Sequence, residues 1–217
     1  MDPDEQPPAC CFDQWAAQNA GRARKRGTAA DITRFLLTAL EEGGLQGKTV
    51  LDLGCGVGDL ALATLAHGAA SADGIDLGRG AIEEARSLAA ERGLAERATF
   101  SVGNGAEEPL ARHDVVALNR VLCCYPSVDQ LLTNSLGAAG DVFAYTAPIH
   151  SGFMGRFNRL SVGISNRWFR LRERKFRGFR AFVHDLDAVD RRIAEAGFRK
   201  AHGAHRRVWQ LAVFTRA

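Results

Sequence analysis

The sequence predicts an α/β fold, with a mostly parallel sheet of seven strands and helices on both faces of the sheet. From Lys48 onward, short apolar runs alternate with segments whose apolar residues recur every three to four positions. Strands separated by single helices pair in parallel through right-handed crossovers. The 217 residues are 46% hydrophobic and 24% charged, which suits a single globular domain and argues against a disordered or fibrous chain.

The segment ahead of the sheet is predicted to be a loose tail followed by a helical lid. We therefore divide the chain into residues 1–44 and a main domain at residues 45–217. A first helix is expected over residues 12–23. A second begins with the capping-box-like pair Thr28 and Asp31 and ends at a pair of glycines. The acidic, proline-rich start is unlike a secretory signal, and no apolar run reaches the ~20 residues that span a bilayer, so a cytoplasmic location is expected.

The elements of the main domain follow from the apolar pattern and from glycines that end helices. Strands are expected at residues 49–53, 72–77, 98–102, 114–118, 141–145, 180–184 and 208–214. Helices are expected at residues 60–67, 81–92, 127–136 and 186–196. The last two strands predict an antiparallel edge on the sheet, so the final strand should run against its neighbours.

The most informative segment is VLDLGCGVGDL at residues 50–60, which joins the first strand to a helix. Gly54, Gly56 and Gly58 allow a sharp turn and a close approach of the backbone to a ligand. Asp76 ends the next strand, where its carboxylate can accept both hydroxyls of a ribose. Open α/β sheets bind ligands at this position, so these residues predict a nucleoside-bearing cofactor.

Charge distinguishes between the candidate cofactors. Asp52 precedes the turn, and Asp59 stands where the dinucleotide motif GxGxxG has its last glycine. Two carboxylates would repel a pyrophosphate at the helix N-terminus but suit a cation, such as the amino group and sulfonium of S-adenosylmethionine. A dinucleotide-dependent oxidoreductase and a structural turn without a ligand remain as alternatives.

With these residues the chain resembles the class I S-adenosylmethionine-dependent methyltransferases, whose fold is Rossmann-like. The resemblance runs from about residue 45 to the C-terminus. It implies that the turn holds the methionine part, that Asp76 binds the ribose and that Leu77 packs on the adenine. It assigns further cofactor contacts to the turn residues Asp52, Gly54, Cys55, Gly56 and Gly58, and to Asn104, Gly105 and Ala106 after the third strand. Asn119 and Arg120, after the fourth strand, are expected to contact the cofactor or the loop backbone. Asn104 replaces an acid that is usual in the family, and its amide oxygen can still accept from the adenine amino group.

A narrower likeness is to the magnesium-protoporphyrin O-methyltransferases. It depends on LQGKT at residues 45–49, on Tyr125 and Pro126 after the fourth strand, and on RAFVH at residues 180–184. That family has a histidine before the Tyr-Pro pair, and this chain has Cys124 there. The departure leaves the general branch in place and counts against a porphyrin substrate.

Three side chains are candidates for the chemistry of methyl transfer to a small-molecule acceptor, for which oxygen is the expected atom. Such a transfer is an in-line displacement that needs alignment and, for a phenol, amine or alcohol, a base. His150 and His184 are the candidate bases, since histidine titrates near neutral pH, and Tyr125 is a candidate hydrogen-bonding group. Each also has a structural explanation, because His150 could be an ordinary loop residue, His184 could cap the following helix and Tyr125 could simply pack in the core. No metal is expected, and a non-catalytic protein that binds S-adenosylmethionine remains the alternative function.

Charge and cysteine content indicate the partners. Residues 150–182 contain nine Lys and Arg and one acid, interleaved with aromatic residues, and residues 22–26 form a second basic cluster. This favours an anionic, planar substrate under an amphipathic cover, or contact with a membrane surface, over nucleic acid, and a solvated helix face rich in arginine is an equal alternative. The sequence does not indicate the oligomeric state.

The five cysteines include two vicinal pairs and form no disulfide framework. Cys10 and Cys11 could join Cys123 and Cys124 around a soft metal if the lid closed, although small buried side chains are the simpler interpretation.

Overall fold

The structure is a computed structural model that describes residues 19–21, 31–172 and 179–217. Residues 19–21 are helical. The helices are α1 (Asp31–Glu42), α2 (Asp59–Ala66), α3 (Arg79–Glu91), α4 (Asp129–Ala138), α5 (Gly152–Arg172) and α6 (Leu186–Glu195), with a short 3-10 turn at Leu122–Cys124. The strands are β1 (Thr49–Leu53), β2 (Ser71–Asp76), β3 (Ala98–Val102), β4 (His113–Asn119), β5 (Ala139–Pro148), β6 (Phe198–Arg206) and β7 (Trp209–Arg216).

The seven strands form one sheet in the order β3-β2-β1-β4-β5-β7-β6. Strands β1 to β5 pair in parallel, and β7 runs antiparallel to β5 on one side and to β6 on the other. The predicted fold class is confirmed. The strand order reverses between β1 and β4, so the carboxyl ends of these two strands border a crevice where this type of sheet binds ligands.

Two apolar clusters cover the two faces of the sheet. Alternate residues of a strand point to opposite faces, so Val50 belongs to one cluster while its neighbour Leu51 belongs to the other. Helices α1 to α3 pack on the first face, and α4 and α6 pack on the second. Burial on both faces explains why the central strands read as apolar runs in the sequence.

Helix α1 is packed into the core. Leu36 and Leu40 are fully buried, and the helix contacts α2, β5 and β7. The rest of the predicted lid lies outside the described residues, apart from residues 19–21. The division of the chain at residue 44 stays a prediction.

The strand predicted at residues 180–184 is wrong. Residues 180–184 are irregular chain, and the sixth strand is β6, which a two-residue turn at Arg207 and Val208 joins to β7. Strand β6 has the sequence FRKAHGAHR and lies at the edge of the sheet, where most of its side chains are exposed. Charged residues are typical of protected sheet edges, and they removed the apolar signal that the prediction used.

Residues 152–172 of the basic stretch form α5, a helix of 21 residues that follows β5. Within the described parts of the chain, no helix combines the length and the apolar character that crossing a membrane requires.

Candidate functional site

A cavity of about 370 Å³ lies at the carboxyl ends of β1, β2 and β4. Eight of the fifteen predicted site residues line it, namely Gly54, Gly56, Asp76, Leu77, Gly105, Asn119, Arg120 and Tyr125. The other seven do not line it, and they are Asp52, Cys55, Gly58, Asn104, Ala106, His150 and His184. The cavity therefore brings together the turn after β1, the end of β2 and the loop after β4, as the sequence predicts.

The glycine turn has the left-handed backbone that glycine tolerates best. The φ angles of Gly54, Gly56 and Gly58 are +68°, +54° and +78°. A Cβ on Gly58 would lie 2.8 Å from the Phe100 ring, whereas a Cβ on Gly56 would meet no atom within 4 Å. Gly58 therefore serves packing under the turn, while Gly56 leaves open space at the cavity.

Asp76 fastens the end of β2 to the turn. One carboxylate oxygen accepts from the Gly56 amide at 2.8 Å, and the other accepts from the Gly78 amide at the same distance. Asp76 is 8% exposed and lines the cavity. A carboxylate oxygen has more than one lone pair, so both oxygens can also accept from a ligand hydroxyl.

Two further carboxylates lie beneath the turn. Asp52 is buried, and one of its oxygens accepts from the Ala61 amide in the first turn of α2. Burial raises the pKa of Asp52 to about 8, with a smaller contribution from the negative charges of Asp76 and Asp59. Burial also raises the pKa of Asp59. Among the described residues, the second oxygen of Asp52 and Oδ1 of Asp59 are buried without a hydrogen-bond partner.

Arg120 is the cation of the site. Its backbone has a φ of 64°, which is unusual outside glycine, and its amide donates to the Thr146 hydroxyl at 2.8 Å. Its side chain lines the cavity, and its charge lowers the pKa values of Asp52 and Asp59 against the effect of burial. The Nε atom is buried and has no hydrogen-bond partner within the described residues. A left-handed backbone at a non-glycine residue that lines a cavity, together with a buried nitrogen that lacks a partner, is typical of a binding site.

Asn119, next to Arg120, holds the loop after β4 in place. Its amide nitrogen donates to the Thr33 hydroxyl of α1, and its amide oxygen accepts from the Thr146 hydroxyl of β5, each at 2.8 Å. Thr33 and Thr146 are buried, and the sequence did not predict the hydrogen bonds that they make with Asn119. No motif spacing marks them, because their roles come from contacts between elements that are distant in the chain.

The loop after β3 forms another part of the wall. Asn104 accepts with its side-chain oxygen from the Ala106 amide at 3.1 Å and from the Tyr125 hydroxyl at 3.2 Å. Gly105 lines the cavity together with Leu77. Ala106 is buried in the core behind the wall. The predicted adenine-side residues therefore adjoin one another, although Asn104 turns its oxygen toward the protein.

The described cysteines near the cavity are free thiols. Cys55 is buried behind the turn, and burial raises its pKa. Cys123 and Cys124 line the cavity with their sulfur atoms 3.9 Å apart, and both thiols donate to the Arg120 carbonyl. Cys10 and Cys11 lie outside the described residues, so the idea of four converging thiols stays untested.

Tyr125 presents a neutral phenol to the cavity. It is 9% exposed, and burial raises its pKa to about 12. The hydroxyl therefore keeps its proton at neutral pH and acts as a hydrogen-bonding group. The backbone carbonyl of Tyr125 lies 2.9 Å from Nε2 of His184, and burial lowers the pKa of that histidine. The Phe182 amide donates to the Cys123 carbonyl, so residues 180–184 clamp the loop that carries the cysteines and Tyr125.

His150 lies away from the cavity wall. Its Nε2 atom is 3.5 Å from Asp185 and 3.4 Å from Asp187, at the start of α6. Neither His150 nor His184 lines the cavity, and the base role assigned to them stays a prediction. Phe179 and Trp209 do line it, and they extend the wall beyond Cys124. The sequence analysis had placed Phe179 only in a basic, aromatic stretch.

Comparison with known proteins shows which family this site is similar to. Residues 45–148 match the family model described as a methyltransferase domain. The ribosomal protein L11 methyltransferase of Klebsiella pneumoniae strain 342 is 34% identical over 149 residues, which are 66% of this chain and 50% of that protein. The chain thus spans half the length of the curated relatives it matches.

Solved structures share the fold at low sequence identity. The magnesium protoporphyrin IX methyltransferase of Synechocystis PCC 6803, crystallised with bound SAH, aligns with a TM-score of 0.66 and 21% identity over 85% of this chain and 80% of that chain. The 4+2 cyclase SpnF aligns with a TM-score of 0.65 and 16% identity over 85% of this chain and 80% of that chain. Since a cyclase has this fold too, the fold alone does not define a reaction. Residues 45–148 are therefore similar to a methyltransferase domain, and the sheet order gives the chain the Rossmann-like fold of the methyltransferases to which it aligns.

Proposed function

We propose that this chain is an S-adenosylmethionine-dependent methyltransferase that acts on an oxygen atom of a small, apolar or planar acceptor. The observation that carries the proposal is that acidic side chains already accept hydrogen bonds from backbone amides in the glycine turn and at the start of α2. The Gly56 amide donates to Asp76, and the Ala61 amide donates to Asp52. A dinucleotide would need amides at this helix N-terminus for its pyrophosphate, and here acids already hold two of them.

The unsatisfied groups of the site fit the polar end of this methyl donor. Its methionine part carries an ammonium, a carboxylate and a sulfonium. Asp52 and Asp59 offer buried carboxylate oxygens without partners among the described residues, and Arg120 offers a buried guanidinium nitrogen in the same state. The carboxyl oxygens would accept from the ammonium, whose positive charge favours the ionised form of Asp52, and the guanidinium of Arg120 would meet the ligand carboxylate. Asp76 would hold the ribose, and Leu77 with Gly105 would flank the adenine.

S-adenosylmethionine supplies a methyl group on a positively charged sulfur. The acceptor attacks the methyl carbon in line with the carbon–sulfur bond, and the sulfur leaves as a neutral thioether. The chain's own contribution is to align the acceptor, exclude water and fix the charges around the sulfur. Val121 and Leu131 give the cavity apolar walls, and Phe179 and Trp209 extend them, which favours an apolar acceptor over a highly charged one. The Tyr125 hydroxyl donates its proton to Asn104, so its oxygen can accept a hydrogen bond from a hydroxyl of the acceptor and orient it.

The direct test is turnover of labelled S-adenosylmethionine with a panel of small phenols, carboxylic acids and hydroxylated aromatic compounds. The expected result is a methyl ester or ether from at least one acceptor and its loss in the Asp76→Ala variant. Tight binding of the methyl donor without turnover on any acceptor class would favour the alternative of a non-catalytic protein that binds the donor.

A polypeptide acceptor is the second candidate function. The curated relatives are named ribosomal protein L11 methyltransferases, and they align with this chain over 145 to 149 residues. The same labelled donor should be offered to purified L11 protein in parallel. Label in the protein, with none in the small-molecule panel, would replace our proposal with this one.

A further inference from the structure

Helix α5 presents a continuous apolar stripe at the surface. Five large apolar side chains recur along it at spacings of four, three, four and four residues. Their exposed fractions are 83% for Phe153, 50% for Phe157, 65% for Leu160, 62% for Ile164 and 43% for Trp168. At roughly 100° per residue these positions fall within about 80° of the helix circumference. Single exposed apolar residues are ordinary, whereas an aligned row of five marks an interaction surface.

Polar contacts on the opposite side of α5 fix this orientation. The buried amide of Asn158 donates to the carbonyls of Ile149 and Val208, each at 2.9 Å. Asn166 exchanges two hydrogen bonds with the backbone of Ala181. Gly155 packs against His150 so closely that a Cβ would lie 2.2 Å from the His150 backbone. The inner face is therefore specified by polar and small residues, and the apolar stripe must face outward.

The charge of α5 indicates what the stripe meets. Arg156, Arg159, Arg167 and Arg170 are exposed, and all four lie on one flank of the stripe. The sequence of the helix contains no acidic residue. A helix with Phe, Leu and Trp on one side and several arginines beside them matches the chemistry of an anionic lipid surface.

We propose that α5 docks this protein onto membranes rich in anionic phospholipid. The stripe enters the boundary between headgroups and acyl chains, and the arginines bind the phosphates. The helix stays part of the folded domain, because Asn158 and Asn166 hold its other face.

A second copy of the chain fits this surface less well. An antiparallel pair of α5 stripes would bring the arginine flanks of both helices to one seam, and in either orientation α5 offers no acid to balance them. The acidic first residues of this chain lie outside the described structure and are another occupant that the experiment must separate.

The test is co-sedimentation of the full chain with vesicles of phosphatidylcholine alone or with 30% phosphatidylglycerol. We expect binding only to the anionic vesicles, and a decrease of at least tenfold in a variant with Phe153→Ser, Phe157→Ser, Leu160→Ser and Ile164→Ser. The matched control is Val102→Ser, which removes an apolar side chain that is 41% exposed on β3, and it should bind like the wild type. Trp168 fluorescence should shift to the blue with anionic vesicles, and Trp168→Phe should remove that shift.

Circular dichroism and adenosylhomocysteine binding should be equal in the wild type and the four-serine variant, which establishes that the variant is folded. Failure of the wild type to sediment with anionic vesicles would overturn the proposal, as would equal sedimentation of the folded variant. A dimer in light scattering that the four serines convert to a monomer would assign the stripe to a second copy. Vesicle binding that appears only after removal of residues 1–18 would assign the stripe to that segment.

Discussion

The carboxylate of Asp76 accepts a hydrogen bond of 2.8 Å from the Gly56 amide, which joins the end of β2 to the glycine turn. This bond links the two motifs from which the sequence predicted the cofactor. It also places a negative charge where a phosphate would otherwise bind.

Replacing Asp76 by Ala should weaken adenosylhomocysteine binding roughly 10-fold to 100-fold. The change removes a charged acceptor for the ribose and frees two backbone amides, and hydrogen bonds to charged groups contribute about 1.5–3 kcal/mol each. Calorimetric titration measures the change. Asp73→Asn is the matched control, because Asp73 lies on the same strand but bonds His113 and does not line the cavity. Equal affinities in the two variants would contradict the assignment of Asp76.

Two glycines of the turn should respond differently to substitution by alanine. Gly56 and Gly58 both have a positive φ, so replacing either one by alanine should lower the unfolding free energy by about 1–2 kcal/mol from the backbone alone. Gly58→Ala should lose about 1–3 kcal/mol more, because its Cβ would overlap the Phe100 ring. Gly56→Ala should mainly weaken adenosylhomocysteine binding, because its methyl group would project into open space at the cavity. Urea unfolding and calorimetry separate the two effects, and an equal loss of stability in both variants would count against this assignment.

Asp52 should make the unbound protein less stable as the pH rises from about 4 to about 8. Its pKa is about 8 in the folded state and 3.8 in a model compound, so the folded state holds a proton that the unfolded chain releases over this range. The unfolding free energy should fall with a slope of up to about 1.4 kcal/mol per pH unit from this group. Urea titrations at pH 5, 6.5 and 8 measure this slope. Asp52→Asn should flatten it, and an unchanged slope in that variant would show that Asp52 ionises normally.

Arg120 should discriminate between ligands with and without an amino-acid end. Arg120→Asn keeps a residue that tolerates a positive φ but removes the guanidinium. Its affinity for adenosylhomocysteine should fall at least tenfold, while its affinity for methylthioadenosine, which lacks the carboxylate and ammonium, should change less than twofold. Competition binding measures both affinities. A parallel loss for the two ligands would mean that Arg120 shapes the cavity as a whole.

The sequence was informative where local chemistry decides structure. Buried parallel strands read as apolar runs, and the three glycines with Asp76 mark the site before any contact is known. It was misleading where long-range contacts decide. Phe182 and Val183 suggested a strand, yet this segment spends its hydrogen bonds on the loop after β4, as the bond from Phe182 to Cys123 illustrates. Thr33 meets Asn119 across 86 residues, a distance over which no motif operates.

The cavity should bind a cationic nucleoside donor and not a dinucleotide. The decisive measurement is calorimetric titration of the full chain with adenosylhomocysteine and, separately, with NAD. We predict one site per chain for adenosylhomocysteine, displaced by S-adenosylmethionine, and no detectable heat with NAD. Saturable binding of NAD together with no binding of adenosylhomocysteine would contradict it.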